Sequence, residues 1–173
     1  TKISEYPDDW EVHDPWDQTM AAFMMFDFLE SKLRLYLEVG TNDHRQNLSD
    51  LRTQPDHALA YIIGLRKYSL FNNDNLIGGF EYANLILGKF WSHRATPNWY
   101  DRYSYDYSSY DGLRWSAHSG SDSDDFYFYF GYNDNKWSII PGFNYERHGV
   151  IFTRPAEVKM EIRIDFRYNW RDY

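Results

Sequence analysis

Between Val158 and Tyr168 apolar and charged residues alternate without a break. Val158, Met160, Ile162, Ile164, Phe166 and Tyr168 fall on one parity, and Lys159, Glu161, Arg163, Asp165 and Arg167 on the other. Successive side chains of an extended strand point to opposite sides, so this stretch has one apolar face and one charged face. Eleven residues is long for a soluble strand and matches the roughly 9–11 tilted residues that cross a bilayer's hydrocarbon.

The same period recurs upstream. Thr19 to Phe28 carries Met20, Ala22, Met24, Phe26 and Phe28 on one face. Leu33 to Gly40 carries Leu33, Leu35, Leu37 and Val39 outward and Arg34, Tyr36 and Glu38 inward, and the turn Leu29-Glu30-Ser31-Lys32 joins the two as a hairpin. Leu59 to Tyr68 reads as a third strand. Leu76 to Trp91 follows across Phe71-Asn72-Asn73-Asp74-Asn75, its facing blurred by Gly78, Gly79 and Gly88. Phe126 to Tyr132 and Trp137 to Glu146 pair across Asn133-Asp134-Asn135-Lys136, with Pro141 expected at an edge, a bulge or a rim. Short connections thus alternate with long ones, 41–58, 92–125 and 147–157, and the long ones share one end.

This pattern predicts an all-β fold, an antiparallel transmembrane β-barrel with short periplasmic turns, long extracellular loops and apolar side chains against outer-membrane lipid. About seven strands leave two open edges that lipid does not tolerate. The chain is therefore expected to be part of a larger barrel, its edges met by the rest of the same polypeptide or by other outer-membrane proteins. Its start at Thr1, with no initiator Met and no cleavable signal, fits a piece of a longer protein.

Composition sharpens the picture. Aromatics are 20% of the residues, with 16 Tyr, 12 Phe and 7 Trp, the side chains used both by membrane-interface girdles and by sugar platforms. The mean hydropathy of −0.72 and the lack of a long apolar run exclude a transmembrane helix and leave a barrel open, where only every second residue is apolar. A formal charge of −8 argues against nucleic acid and anionic membrane surfaces as partners. Without cysteine there is neither a disulfide framework nor a thiolate metal site.

The segments Glu38-Val39-Gly40-Thr41-Asn42-Asp43-His44, Pro55-Asp56-His57 with Tyr61 and Gly64-Leu65-Arg66-Lys67, Pro97-Asn98-Trp99-Tyr100 and His118-Ser119-Gly120-Ser121-Asp122-Ser123 resemble, in order and spacing, the Wzi-type capsule-assembly family of outer-membrane proteins. The resemblance spans roughly Thr19 to Asp125. It implies a barrel of about eighteen strands, plugged by its own loops, in the outer membrane of a Gram-negative bacterium. Such a barrel acts as a surface lectin holding capsular or other exopolysaccharide, not as an enzyme, and needs no cofactor.

The candidate sugar site is the longest loop. Trp99, Tyr100, Tyr103, Tyr105, Tyr107, Tyr110 and Trp115 place seven aromatics in seventeen residues, interleaved with Asp101, Arg102, Asp106 and Asp111. Flat apolar rings suit sugar C–H faces, and charged groups suit hydroxyls. The same rings would equally plug the lumen or form an interface belt. Asp43-His44 and Asp56-His57 carry metal-ligand chemistry but read as loop anchors, so no metal is assigned. Asp122, Asp124 and Asp125 have the oxygens for Ca²⁺ without the spacing of a calcium loop. The inward carboxylates Glu38, Glu81, Glu146, Glu161 and Asp165 have the chemistry of a glycoside hydrolase pair. Arg34, Arg66, Lys159, Arg163 and Arg167 on the same face would pair with them instead. A scaffold role within an outer-membrane complex is the main reading without sugar.

Overall fold

The computed structural model describes residues 19–42, 52–53, 55, 59–86, 109–110, 113–114, 119–151, 153 and 155–170. Among them the strands are β1 (Thr19–Phe28), β2 (Leu33–Asn42), β3 (Leu59–Leu70), β4 (Asn73–Asn84), β5 (Ser109–Tyr110), β6 (Leu113–Arg114), β7 (Ser123–Asn133), β8 (Trp137–His148) and β9 (Glu157–Tyr168). Seven of them form one antiparallel sheet in the order β1-β2-β3-β4-β7-β8-β9, and β5 pairs with β6 as a separate two-stranded unit. The main sheet is a meander in which every neighbour in space is the next long strand in sequence. It is open, and β1 and β9 are its edges.

The register lines up what alternation left as separate strands. Phe26, Leu35, Leu65, Phe80, Phe128, Phe143 and Ile162 are successive partners across all seven strands, a single row without a polar side chain. The row toward the loop end is Met24, Leu37, Ile63, Tyr82, Phe126, Tyr145 and Met160. This face is open: Phe128, on the interior strand β7, is 52% exposed and Ile162 is 80% exposed. Rings close the band at both ends. Near the loops Tyr61 meets Tyr82 edge-on at 5.9 Å, and Tyr82 stacks on Phe126 at 4.4 Å. At the turn end Trp137 lies 5.9 Å from Phe166 and 4.6 Å from Tyr168. Lys67 belongs to the apolar face by register, but its Nζ donates to the carbonyls of Ser31 and Tyr68, which carries the ammonium to the turn while its stem covers apolar surface.

The opposite face is mostly polar: Ala83, Asp125, Ser138, Asn144 and Glu146 are buried on it, whereas Glu38, Arg66 and the charged side chains of edge strand β9 are exposed. Its apolar members include Ile62, Ile77 and Ile140, and Phe23 and Met25 on edge strand β1, the last two well exposed.

The turns explain where the observed strands differ from the expected spans. β4 starts at Asn73 rather than Leu76, because Phe71 and Asn72 alone make the turn, both with positive φ (52° and 61°), as a two-residue hairpin loop requires. It ends at Asn84, and the stretch expected to continue to Trp91 runs from residue 87 onward outside the described residues. β7 starts at Ser123 rather than Phe126, since the ladder continues through Asp124–Asn84 and Asp125–Ala83. In the third turn Asp134 Oδ1 accepts the N–H groups of Lys136 (2.7 Å) and Trp137 (2.6 Å), and Oδ2 accepts the Tyr132 hydroxyl (2.7 Å). These donors, the Trp137 N–H foremost, hold the Asp134 carboxyl below the usual carboxylate range.

Pro141 corrects the expectation of an edge or a rim, for it lies within β8 between β7 and β9. The β7–β8 ladder is interrupted opposite Phe130 and Gly131, where a proline has no N–H to give. Gly131 is required at that gap. A Cβ there would meet the Ile140 Cα at 2.6 Å and the Ile139 carbonyl oxygen closer still, both backbone atoms. Gly131→Ala is therefore expected to cost about 1–3 kcal/mol or more in chemical unfolding. Gly78→Ala, whose nearest neighbour is the flexible Leu70 Cδ1 at 3.0 Å, is expected to cost less.

Candidate functional site

All ten charged residues assigned inward from the sequence lie on the polar face: Glu38, Glu81, Glu146, Glu161, Asp165, Arg34, Arg66, Lys159, Arg163 and Arg167. Most are engaged with one another or with close neighbours. Arg34 holds Asp27 through two bonds of 2.6 and 2.9 Å, Arg163 contacts Asp165 at 3.1 Å, and Arg167 donates to Asn133 at 3.0 Å. Lys159 bridges Glu161 (2.7 Å) and Glu146 (3.4 Å).

Glu146, 1% exposed, is the most deeply placed carboxylate of this face. It also accepts from Asn144 Nδ2 at 2.6 Å, and its Oε2 lies 3.0 Å from His148 Nε2. The other His148 nitrogen, Nδ1, faces the Ser119 carbonyl at 2.8 Å. A carbonyl only accepts, so Nδ1 carries a proton and the ring ties the β8 end to the chain leading into β7. Three partners converging on one buried carboxylate describe an anchor for the loop end of the sheet.

The same end is braced by backbone. Leu85 N–H donates to Ser123 O (2.8 Å), Asp122 N–H to Leu85 O (3.0 Å) and Val150 N–H to Asp122 O (3.1 Å). Asp122, at φ 53°, accepts the Ile151 N–H at Oδ2 (2.9 Å). Asp124 turns to the apolar face, where Arg147 grips both its oxygens, the Nε bond measuring 2.8 Å, while Asp125 points to the polar face. The three carboxylates with the oxygens for Ca²⁺ therefore do not converge.

A belt of tyrosines crosses the polar face at mid-height. Tyr36, Gly64, Glu81, Tyr127, Asn144 and Glu161 form one row from β2 to β9, and Arg34, Arg66, Gly79, Tyr129, Gly142 and Arg163 form the next. Each ring lies across a glycine of the adjacent strand. A Cβ at Gly79 would meet the Tyr129 ring at 2.5 Å, one at Gly142 the Tyr127 hydroxyl at 2.5 Å, and one at Gly64 would overlap the Tyr36 ring. The Tyr36 hydroxyl donates to Glu81, and the Arg66 guanidinium lies 5.6 Å from the Tyr36 ring centre. Sequence reading missed this belt and took Gly79 as blurring the facing of its strand. The available signal was glycine recurring inside strong strand patterns, which marks the close approach of another group.

The sugar-site residues expected from the sequence, Trp99, Tyr100, Asp101, Arg102, Tyr103, Tyr105, Tyr107 and Trp115, lie outside the described residues, as do Asp43-His44 and Asp56-His57. No family model, no curated protein and no solved structure matches the chain.

Proposed function

We propose that this chain is part of an outer-membrane β-barrel of a Gram-negative bacterium, of about eighteen strands as the Wzi-type resemblance implies, that holds surface polysaccharide at its long-loop end without cleaving it. The observation that carries the membrane reading is the apolar row running across all seven strands on an open face, framed by rings at both ends. From Val158 to Tyr168 the band is about 33 Å along the strand at ~3.3 Å per residue, or about 25 Å across a membrane at a tilt near 40°. A soluble sheet would cover such a face with a second layer. The polysaccharide reading rests on the aromatic run around Trp99 to Trp115 and on the motif resemblance.

The test is Trp99→Ala combined with Tyr105→Ala in the full-length protein. Polysaccharide should be released from the cell surface while the strands stay folded, and the wild type should leave polymer length unchanged. Unaltered retention by the variant overturns the lectin, and progressive shortening of the polymer favours a hydrolase. The open edges of β1 and β9 support a second reading, a scaffold subunit whose edges pair with other outer-membrane proteins. Stable co-purification of a second polypeptide would select it.

A further inference from the structure

We infer that the tyrosine belt of the polar face is a saccharide-stacking site, in which Tyr127 and Tyr129 carry successive sugar rings and Arg66 binds a sugar carboxylate. This rests on the barrel reading for its location inside the lumen, and it adds a ligand site distinct from the loop residues.

Three features point to a ligand. First, Tyr127 and Tyr129 lie side by side, ring centres 5.8 Å apart and planes inclined by 34°. Each has the backbone of a glycine beneath it, so one ring face is spent on the wall and the other is turned to the space in front of the sheet. Two adjacent flat faces of this kind suit the C–H faces of consecutive pyranoses, as they suit any stacked flat partner. Second, the belt is edged by polar groups that are not all consumed. Glu81 receives the Tyr36 hydroxyl and keeps further acceptor positions for sugar hydroxyls. Third, the cations around it differ in kind. Arg34 is held by Asp27, Arg163 by Asp165 and Lys159 by Glu161. Arg66 is exposed, and among the described residues its partners are tyrosines, Tyr36 beneath it among them, with no carboxylate paired to its charge. A guanidinium takes a carboxylate in two parallel bonds, which selects an acidic saccharide, one bearing uronate groups, over a neutral one.

The experiment is calorimetric titration of the full-length protein in detergent with two probes of equal length, hexagalacturonate and maltohexaose. The wild type should bind hexagalacturonate more tightly. Arg66→Gln, a change at an exposed side chain that leaves the fold intact, should weaken hexagalacturonate by about tenfold and leave maltohexaose unchanged. Tyr127→Ala with Tyr129→Ala should weaken both by about tenfold or more. Wild-type affinity for both probes in the tyrosine variant, or equal weakening of both by Arg66→Gln, overturns the site. If the tyrosine variant does not fold, Arg66→Gln alone decides. The barrel reading fails separately: protein that stays soluble without detergent but binds with these variant effects overturns the lumenal location and keeps the site. Protein that requires detergent and shows no variant effect overturns the site and keeps the barrel.

Discussion

On the proposed barrel reading, Ile162→Arg is expected to destabilise the protein in a bilayer by about 2–4 kcal/mol, the cost of a guanidinium on a lipid-facing strand near the midplane. Ile162 ends the polar-free row at mid-height and is 80% exposed. Among the described residues nothing covers this side chain, so the surroundings decide the cost of a charge there. Val158→Arg supplies the depth control, because Val158 shares its row with Arg147, Asp124 and Asn84 at the loop-end rim. Its expected cost is about 0–1 kcal/mol, since a charge near the interface reaches water and headgroups. Equilibrium refolding into vesicles, followed by tryptophan emission, measures both. If the face met water instead of lipid, an arginine at either position would be nearly neutral, so equal small effects at 162 and 158 would remove the membrane reading.

Arg147→Met is expected to cost about 3–5 kcal/mol by leaving the Asp124 carboxylate sheltered without its counter-charge. The Asp124 side chain is 1% exposed, and both its oxygens are gripped by one guanidinium from the adjacent strand. The pair also fastens β7 to β8 where the hairpin opens toward the long loops. Arg147→Lys should fall between, keeping the charge but not the two parallel bonds. Asp124→Asn in the Met background should recover part of the loss, and chemical unfolding of the four proteins in a double-mutant cycle isolates the coupling. A cost under about 1 kcal/mol for Arg147→Met would mean that water, not Arg147, satisfies Asp124.

Much of this architecture was legible in one dimension, and the reasons are specific. In β9 a strict period of two states both the strand and its two faces, because a pleated chain sends neighbours to opposite sides whatever lies next to it. Two of the three short turns were legible for a related reason: Asn tolerates positive φ, as Asn72 does, and Asp accepts from the backbone just ahead, as Asp134 does. Boundaries were less legible. Nothing in Ser123-Asp124-Asp125 reads as strand, and these residues join β7 only because Ala83 and Asn84 offer a ladder. Pro141 read as the mark of an edge, a bulge or a rim, and it lies at a local interruption of an interior ladder, tolerated where Gly131 allows the facing backbone to come close.

What the sequence determined alone is therefore local and periodic: the all-β class, the meander of hairpins, and the division of apolar from charged side chains. What only the tertiary structure decided depends on register, since a shift of two residues keeps every side chain on its face while changing all of its partners. Register sets the apolar residues of seven strands in one row. It also brings Arg147 to Asp124 across 23 positions and lays Tyr129 over Gly79, and neither pairing is written in the order of the chain.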